Sequence, residues 1–141
     1  MLAEGKGFCG AVVAGPKLLL RLEGLLVLMA GVVLFARLEF SWSIFGWCFL
    51  LPDIAMAGYL INSRIGAAAY NCTHSYIGPL LLLLIGFTFN IYPLMAAGSI
   101  WLAHIGFDRA LGYGLKYAQG FGYTHLGTIG NASRKVKRTG G

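Results

Sequence analysis

Four long apolar runs, separated by short polar turns, make up most of this chain. They predict helices at residues 17–36, 41–61, 66–89 and 93–113, joined by turns at residues 37–39, 62–64 and 90–93. A hydrocarbon core about 30 Å thick needs about 20 helical residues, so each run is long enough to cross a bilayer. The pattern therefore predicts an all-α fold, an integral membrane bundle of four transmembrane helices with short loops.

The composition agrees with a membrane location. Of 141 residues, 57% are hydrophobic and 11% are charged, whereas charged residues make up about 25% of a soluble domain. We expect one transmembrane domain at residues 17–127, which includes a C-terminal interfacial loop at residues 114–127. An N-terminal arm (1–16) precedes it, and a basic tail without a fold of its own (128–141) follows it.

The distribution of lysine and arginine predicts the orientation. Lys6 precedes the first helix and Lys17 begins it, Arg64 lies in the second turn, and Lys116 and the basic tail follow the fourth helix. The positive-inside rule then predicts a multi-pass protein of the bacterial inner membrane with both termini in the cytoplasm. The tail suits contact with membrane lipids, and no base-stacking module accompanies it, so we expect no nucleic-acid partner. The sequence is also compatible with a homo-oligomer.

Ionisable side chains occur inside all four apolar runs. Each costs about 2.5 to 3.5 kcal/mol near the bilayer centre, so such residues usually pair, bind an ion or line a polar path. At 1.5 Å per residue, Glu23, Asp53, His74 and Asp108 fall roughly 3 to 10 Å to the cytoplasmic side of their helix midpoints, and His104 falls near the midplane. Groups at a common depth on different helices predict one shared polar site.

The spacing of these residues points to a metal ion. His104 and Asp108 are four residues apart and share one helix face, and Pro52 predicts a kink in the second helix beside Asp53. Imidazole and carboxylate ligands together suit a divalent ion such as zinc, manganese or iron. We therefore predict a divalent metal ion bound by Asp53, His74, His104 and Asp108.

This site suits a metal-dependent hydrolase that acts on a lipid-like substrate entering from the cytoplasmic leaflet. Glu23 would accept a proton from the attacking water, and Arg109 or Lys116 would hold an anionic headgroup. Asn71, three residues before His74 on the same helix face, and His125, in the glycine-rich loop, are further candidates.

Two other interpretations stay open. The same carboxylates and histidines could form the proton relay of a carrier or small transport module, which would need an oligomer because four short helices are few for a transporter. They could also be structural groups that tie the helices of a membrane protein together.

Three motifs carry a family resemblance. They are Leu51-Pro-Asp-Ile-Ala-Met-Ala-Gly-Tyr59, the segment from Gly66 through Tyr70-Asn71 to His74, and the stretch from His104-Ile-Gly-Phe-Asp-Arg-Ala-Leu-Gly-Tyr to Thr124-His-Leu-Gly127. With them the chain resembles a family of small bacterial integral membrane proteins catalogued as a domain of unknown function, over roughly residues 18–127. The resemblance implies a four-helix membrane protein and no established activity. Pro52-Asp53, Thr73-His74-Ser75 and Thr124-His125 are also similar in type to elements of bacterial inner-membrane metal-dependent hydrolases.

Overall fold

The computed structural model describes residues 14–117 and 121–130, with side chains from residue 15 onward. The expected arm therefore lies almost wholly outside the described residues, and so do residues 131–141 of the tail. The described helices form four segments that run through the bundle. These are α1 (Ala14–Ala36), α2 (Trp42–Phe49) continued by a 3-10 helix (Leu51–Leu60), α3 (Ser63–Thr73) followed by α4 (Ile77–Phe89), and α5 (Tyr92–Leu111). Two short antiparallel strands follow, β1 (Tyr123–Thr124) and β2 (Gly127–Thr128).

Apolar side chains cover the outside of the bundle. Three segments, Gly15–Ala36, Trp42–Leu60 and Ser63–Phe89, are long and apolar enough to cross a membrane. Neither α2 nor the 3-10 helix buries a residue, although both are rich in leucine, isoleucine and aromatic residues. Such a continuous apolar surface is stable only against lipid or a partner. The predicted all-α membrane bundle is confirmed.

Helix α5 lies at the centre of the bundle. It packs against α1, α2 and α4 and buries 11 residues within its own length. Among them are the polar residues Ser99, His104 and Arg109. The least apolar of the four segments is thus the one that its neighbours shield from lipid.

Glycines bring α1 and α5 into close contact. A Cβ added at Gly106 would lie 2.7 Å from the carbonyl oxygen of Gly24 and 2.9 Å from the Cα of Leu28. On the opposite helix, a Cβ at Gly31 would lie 2.7 Å from the carbonyl oxygen of Ser99. In lipid, where apolar burial gives no drive for helices to associate, such close backbone packing holds them together.

Two of the segments are interrupted. Near the predicted kink at Pro52, the second segment changes from α-helix to 3-10 helix, and the Asp53 amide donates to the carbonyl of Leu50 at 3.1 Å. The prediction of an unbroken third helix over 66–89 was wrong, because α3 ends at Thr73 and α4 begins at Ile77. Pro79 explains the new start, since a proline has no amide to donate and is tolerated best in a first helical turn.

The contact between α1 and α5 gives a testable expectation. We expect Gly106→Ala to lower the melting temperature of the detergent-purified protein, because overpacking against backbone costs about 1 to 3 kcal/mol. The matched control is Gly46→Ala in α2, where an added Cβ meets nothing within 4 Å. Gly46→Ala should leave the melting temperature unchanged or raise it, since alanine favours helix. Equal melting temperatures for the two variants would contradict this packing.

Candidate metal centre

The two helix interruptions bring Asp53 and His74 together. Asp53 lies in the first turn of the 3-10 helix, and His74 is the C-cap of α3. The Thr73 hydroxyl lies within hydrogen-bonding distance of the carbonyl of Pro52, at 3.2 Å, which joins the two interruptions. Both then face His104 and Asp108 on α5. Each of the four side chains offers one ligand atom, and these atoms lie within 4.8 Å of one another.

The spacing of the ligand atoms matches a tetrahedral metal site. The two histidine Nε2 atoms are 3.0 Å apart. His74 Nε2 lies 3.3 Å from Asp53 Oδ1 and 3.3 Å from Asp108 Oδ2, and the corresponding distances from His104 Nε2 are 3.4 and 3.7 Å. Ligands at 2.0 to 2.2 Å from a tetrahedral zinc ion are about 3.4 Å from each other. The five separations that involve a histidine nitrogen are close to this value, and all four atoms lie within 4.8 Å of one another.

Solvent access is uneven across the cluster. The side chains of His74 and His104 are 0% and 1% exposed, Asp108 is 13% exposed and Asp53 is 30% exposed. The two imidazoles therefore lie on the inner side, and the carboxylates lie toward the outside. Asp53 is the ligand with the easiest access to water.

Tyr70 supports two of the ligands. Its ring stacks on the His74 ring with centroids 3.7 Å apart, and its hydroxyl donates to Asp108 Oδ2 at 3.2 Å. His74 Nδ1 lies 3.0 Å from the carbonyl oxygen of Tyr70. A proton on Nδ1 that is donated to this carbonyl leaves the Nε2 lone pair for the cluster, the usual way in which a metal-binding histidine is oriented.

His104 has an apolar support instead. Its ring packs edge-on against Phe49, with centroids 5.2 Å apart, and its buried Nδ1 atom has no hydrogen-bond partner among the described residues. Phe49 belongs to a row of aromatic rings that starts at the buried Phe35 and passes through Phe45. The polar contacts of His104 are therefore directed through Nε2 into the cluster.

Side chains of α5 also donate hydrogen bonds to the backbone carbonyls where α3 ends. The indole of Trp101 donates to the carbonyl of Thr73, and Arg109 Nη2 donates to the carbonyl of His74 at 2.8 Å. Arg109 Nη1 donates to the carbonyl of Tyr113, also at 2.8 Å. The last carbonyls of a helix have no partners within it, and lipid supplies none. Arg109 thus fixes the backbone that carries His74.

A polar cavity of about 590 Å³ lies beside the cluster. Residues of the 3-10 helix, α3, α5 and the C-terminal loop line it: Asp53, Met56, Tyr70, Asp108, Tyr113, Lys116, Phe121, Gly122, Ile129 and Gly130. Lys116 is 4% exposed, and burial lowers the pKa of its ammonium group to about 8. Asn71 forms two hydrogen bonds with the Lys116 backbone, as acceptor from its amide at 2.6 Å and as donor to its carbonyl at 2.8 Å.

Glu23 and His125 lie elsewhere. Together with Arg109 they line a different cavity of about 550 Å³ between α1 and the C-terminal loop. His125 Nδ1 accepts a hydrogen bond from the Leu115 amide at 2.8 Å, and burial, followed by the charge of Arg109, lowers the pKa of its imidazole. The structure therefore brings the four predicted ligands together, with Lys116 in the adjoining cavity and Asn71 fixing its backbone, and places Glu23, Arg109 and His125 on another side of α5.

Several supporting residues were not predicted as part of the site. Three of them are residue types common in apolar helices, and their spacing gives no signal of a polar contact: Trp101, Thr73 and Phe49. Tyr70 did have a signal, since it lies four residues before His74 and so shares its helix face. Contacts between different helices, such as that of Trp101 with Thr73, cannot be found from spacing along one helix.

The role of Arg109 in the backbone of the site can be tested by stability. We expect Arg109→Met to lower the free energy of unfolding by about 1 to 3 kcal/mol for each carbonyl left without a donor. Arg64→Met is the matched control, because Arg64 is exposed at the start of α3. Thermal unfolding of both variants in one detergent makes the comparison. Arg109→Met as stable as Arg64→Met would show that the two carbonyls do not depend on the guanidinium.

The chain belongs to the family described as a domain of unknown function, DUF4260, whose family model matches residues 17–129. The match covers the four helical segments and the C-terminal hairpin. No curated protein and no solved structure matches the chain.

Proposed function

We propose that this protein is a membrane-embedded hydrolase that uses one divalent metal ion, with zinc as the first candidate, to cleave a lipid-like substrate. One observation supports this above all: the two histidine Nε2 atoms lie 3.0 Å from each other and 3.3 to 3.7 Å from a carboxylate oxygen of Asp53 and of Asp108. Two imidazole nitrogens and two carboxylate oxygens form a ligand set that suits zinc, manganese or iron. We also propose the bacterial inner membrane and cytoplasmic termini, on the distribution of lysine and arginine.

Hydrolysis requires an open position at the metal ion. Four protein ligands complete a tetrahedral shell, whereas catalytic zinc sites keep one position for water. Asp53 is the ligand that can provide it, because its side chain is 30% exposed and lines the cavity. From its place at the edge of the cavity, the Asp53 carboxylate would accept the proton of the attacking water. A bound divalent ion would lower the pKa of that water to about 7.

This assignment gives Asp53 the role that the sequence suggested for Glu23. Glu23 lines the cavity on the other side of α5, together with Arg109 and His125. A general base must lie within hydrogen-bonding reach of the proton that it accepts, directly or through one water. Asp53 fulfils this condition from within the cluster.

An apolar groove next to the cluster supports a substrate with a hydrocarbon tail. Its volume is about 500 Å³, and its lining includes Pro52 and Thr73, the neighbours in sequence of Asp53 and His74. From there it extends along α5 to Pro93, eight residues before Trp101, which corresponds to about 12 Å of helix at 1.5 Å per residue. One leaflet of a hydrocarbon core about 30 Å thick has a similar depth, about 15 Å. An acyl chain in this groove would have its polar end near the cluster.

Metal content is the first test. We expect the purified protein to contain close to one equivalent of metal by inductively coupled plasma mass spectrometry, and Asp108→Asn to lose most of it. Glu23→Gln is the matched control, since it neutralises a carboxylate on α1 that does not belong to the cluster. All three proteins are compared at equal folded yield by size-exclusion chromatography. Wild-type protein without metal after growth in zinc-supplemented medium, or equal metal in all three, would refute the metal site.

The reaction is tested with lipids. We expect the metal-loaded protein, incubated with a bacterial lipid extract in water enriched in oxygen-18, to consume one lipid class and to place the heavy oxygen in its product. His104→Ala should give no labelled product, because it removes a ligand that is 1% exposed. Mass spectrometry of the lipids makes both measurements. Metal-loaded protein that leaves every lipid class unlabelled would argue against hydrolysis of lipids.

A proton-transfer function is the second candidate, and the contact between the two histidines favours it. Their Nε2 atoms are 3.0 Å apart, and one oxygen of Asp53 and one of Asp108 each lie 3.3 Å from His74 Nε2, an arrangement in which protons can pass between groups. This version predicts no bound metal and a loss of proton flux in proteoliposomes for Asp53→Asn. The metal analysis therefore separates the two candidates.

A further inference from the structure

We propose that Lys116 binds an anionic oxygen group of the substrate, such as a phosphate, in the cavity beside the metal cluster. The proposal rests on the metal site proposed above and defines the substrate class more closely, as an anionic amphiphile. It is based on the position of the Lys116 ammonium, on the charges that line the cavity, and on the hydrogen bonds that occupy Arg109.

The Lys116 ammonium is buried, and the described residues supply one hydrogen-bond acceptor for it. The residue is 4% exposed, and its Nζ donates to the carbonyl of Phe121 at 3.0 Å. Nζ also lies 3.7 Å from the centroid of the Phe121 ring and 4.9 Å from that of Tyr70. An ammonium group has three hydrogens to donate, and the described residues supply only the Phe121 carbonyl as an acceptor. A ligand with anionic oxygens would supply further acceptors.

The charges in the cavity favour an anion once the metal is bound. Among the residues that line it, the two carboxylates of Asp53 and Asp108 and the ammonium of Lys116 carry charge. A divalent ion held by these two carboxylates and by two neutral histidines cancels the carboxylate charge. The positive charge of Lys116 then stays uncompensated, and because this residue is 4% exposed, an opposite charge interacts with it more strongly than in bulk water.

The backbone of Lys116 is held at a defined distance from the cluster. Asn71 binds its amide and its carbonyl, and Lys116 also forms a bridge with Thr124 of β1. Asn71 lies on α3, three residues before His74. The backbone of Lys116 and one proposed ligand, His74, are therefore attached to the same helix, which suits a substrate held at two points.

Arg109 is the other cation near the site, and its geometry does not suit this role. Its two terminal nitrogens donate to the carbonyls of His74 and Tyr113. It lines the cavity that contains Glu23 and not the one that contains Asp53. Of the two cations suggested by the sequence, the geometry points to Lys116.

The test measures binding of inorganic phosphate and dodecyl phosphate to the metal-loaded protein by calorimetry in a non-ionic detergent. We expect Lys116→Gln to weaken both about tenfold or more, the scale of a lost charge-assisted hydrogen bond, and to keep its metal. Arg64→Gln, which removes an exposed cation, should bind as the wild type does. Dodecyl phosphate binding at least tenfold more tightly than phosphate would indicate a lipid headgroup, and equal affinities would indicate free phosphate.

The outcomes separate this proposal from the metal site. A Lys116→Gln protein that keeps its metal and binds both probes like the wild type overturns the role of Lys116 and leaves the metal site standing. Wild-type protein without metal refutes the proposed function. In that case phosphate binding that still weakens in Lys116→Gln supports the anion site, and absence of phosphate binding overturns it.

A second measurement tests the proposal on wild-type protein, in case Lys116→Gln does not fold. Wild-type protein is treated with an amine-reactive ester at pH 8 with and without dodecyl phosphate, and labelling is mapped by peptide mass spectrometry. We expect the ligand to reduce labelling of Lys116 several-fold and to leave that of Lys17 unchanged. Equal reduction at both lysines, or none at Lys116, overturns the proposal.

Discussion

The site depends on one constraint of the bilayer, that a broken helix must find all its hydrogen bonds within the protein. Between α3 and α4 the chain leaves the helical conformation at His74. The carbonyls freed there are bound by side chains of α5, the indole of Trp101 and the guanidinium of Arg109. Lipid offers no donor to replace them. Those two donors of α5 therefore stabilise the interruption that places His74 in the cluster.

The same constraint explains why α5 is enclosed. A helix with His104, Asp108 and Arg109 cannot face lipid without a large cost, so other helices must cover it. Close contact with α1 meets this need, with Gly24 and Gly31 on one helix and Gly106 on the other allowing the backbones to approach. The polar residues of α5 thus depend on the glycines, because α1 must shield them from lipid and the small residues allow α1 to pack closely enough to do so.

Most of the fold could be predicted from the sequence, and so could the four ligands. Apolar runs set the helices, and ionisable residues in a membrane are rare enough that their common depth indicates a shared site. The interruption after Thr73 was missed because α4 is apolar throughout and Pro79 lies inside the run. The place of Glu23 was also missed. The residue number gives the depth of Glu23 along α1. The direction in which its side chain points around the helix axis depends on how α1 packs against α5, and the sequence of α1 alone does not determine that packing.

The charge balance of the cluster links metal binding to the stability of the bundle. Asp53 and Asp108 lie within 3.3 to 3.7 Å of both histidine Nε2 atoms, and burying two carboxylates without compensation costs several kcal/mol for each ion. A metal ion in the cluster would supply this compensation. Lys116, in the cavity that both carboxylates line, supplies one positive charge and cannot balance two. A divalent cation in the cluster would balance both carboxylates, and because its ligands come from three helical segments, its binding energy would become folding energy. The cluster that is proposed to do chemistry would thereby also hold the interrupted helices against α5.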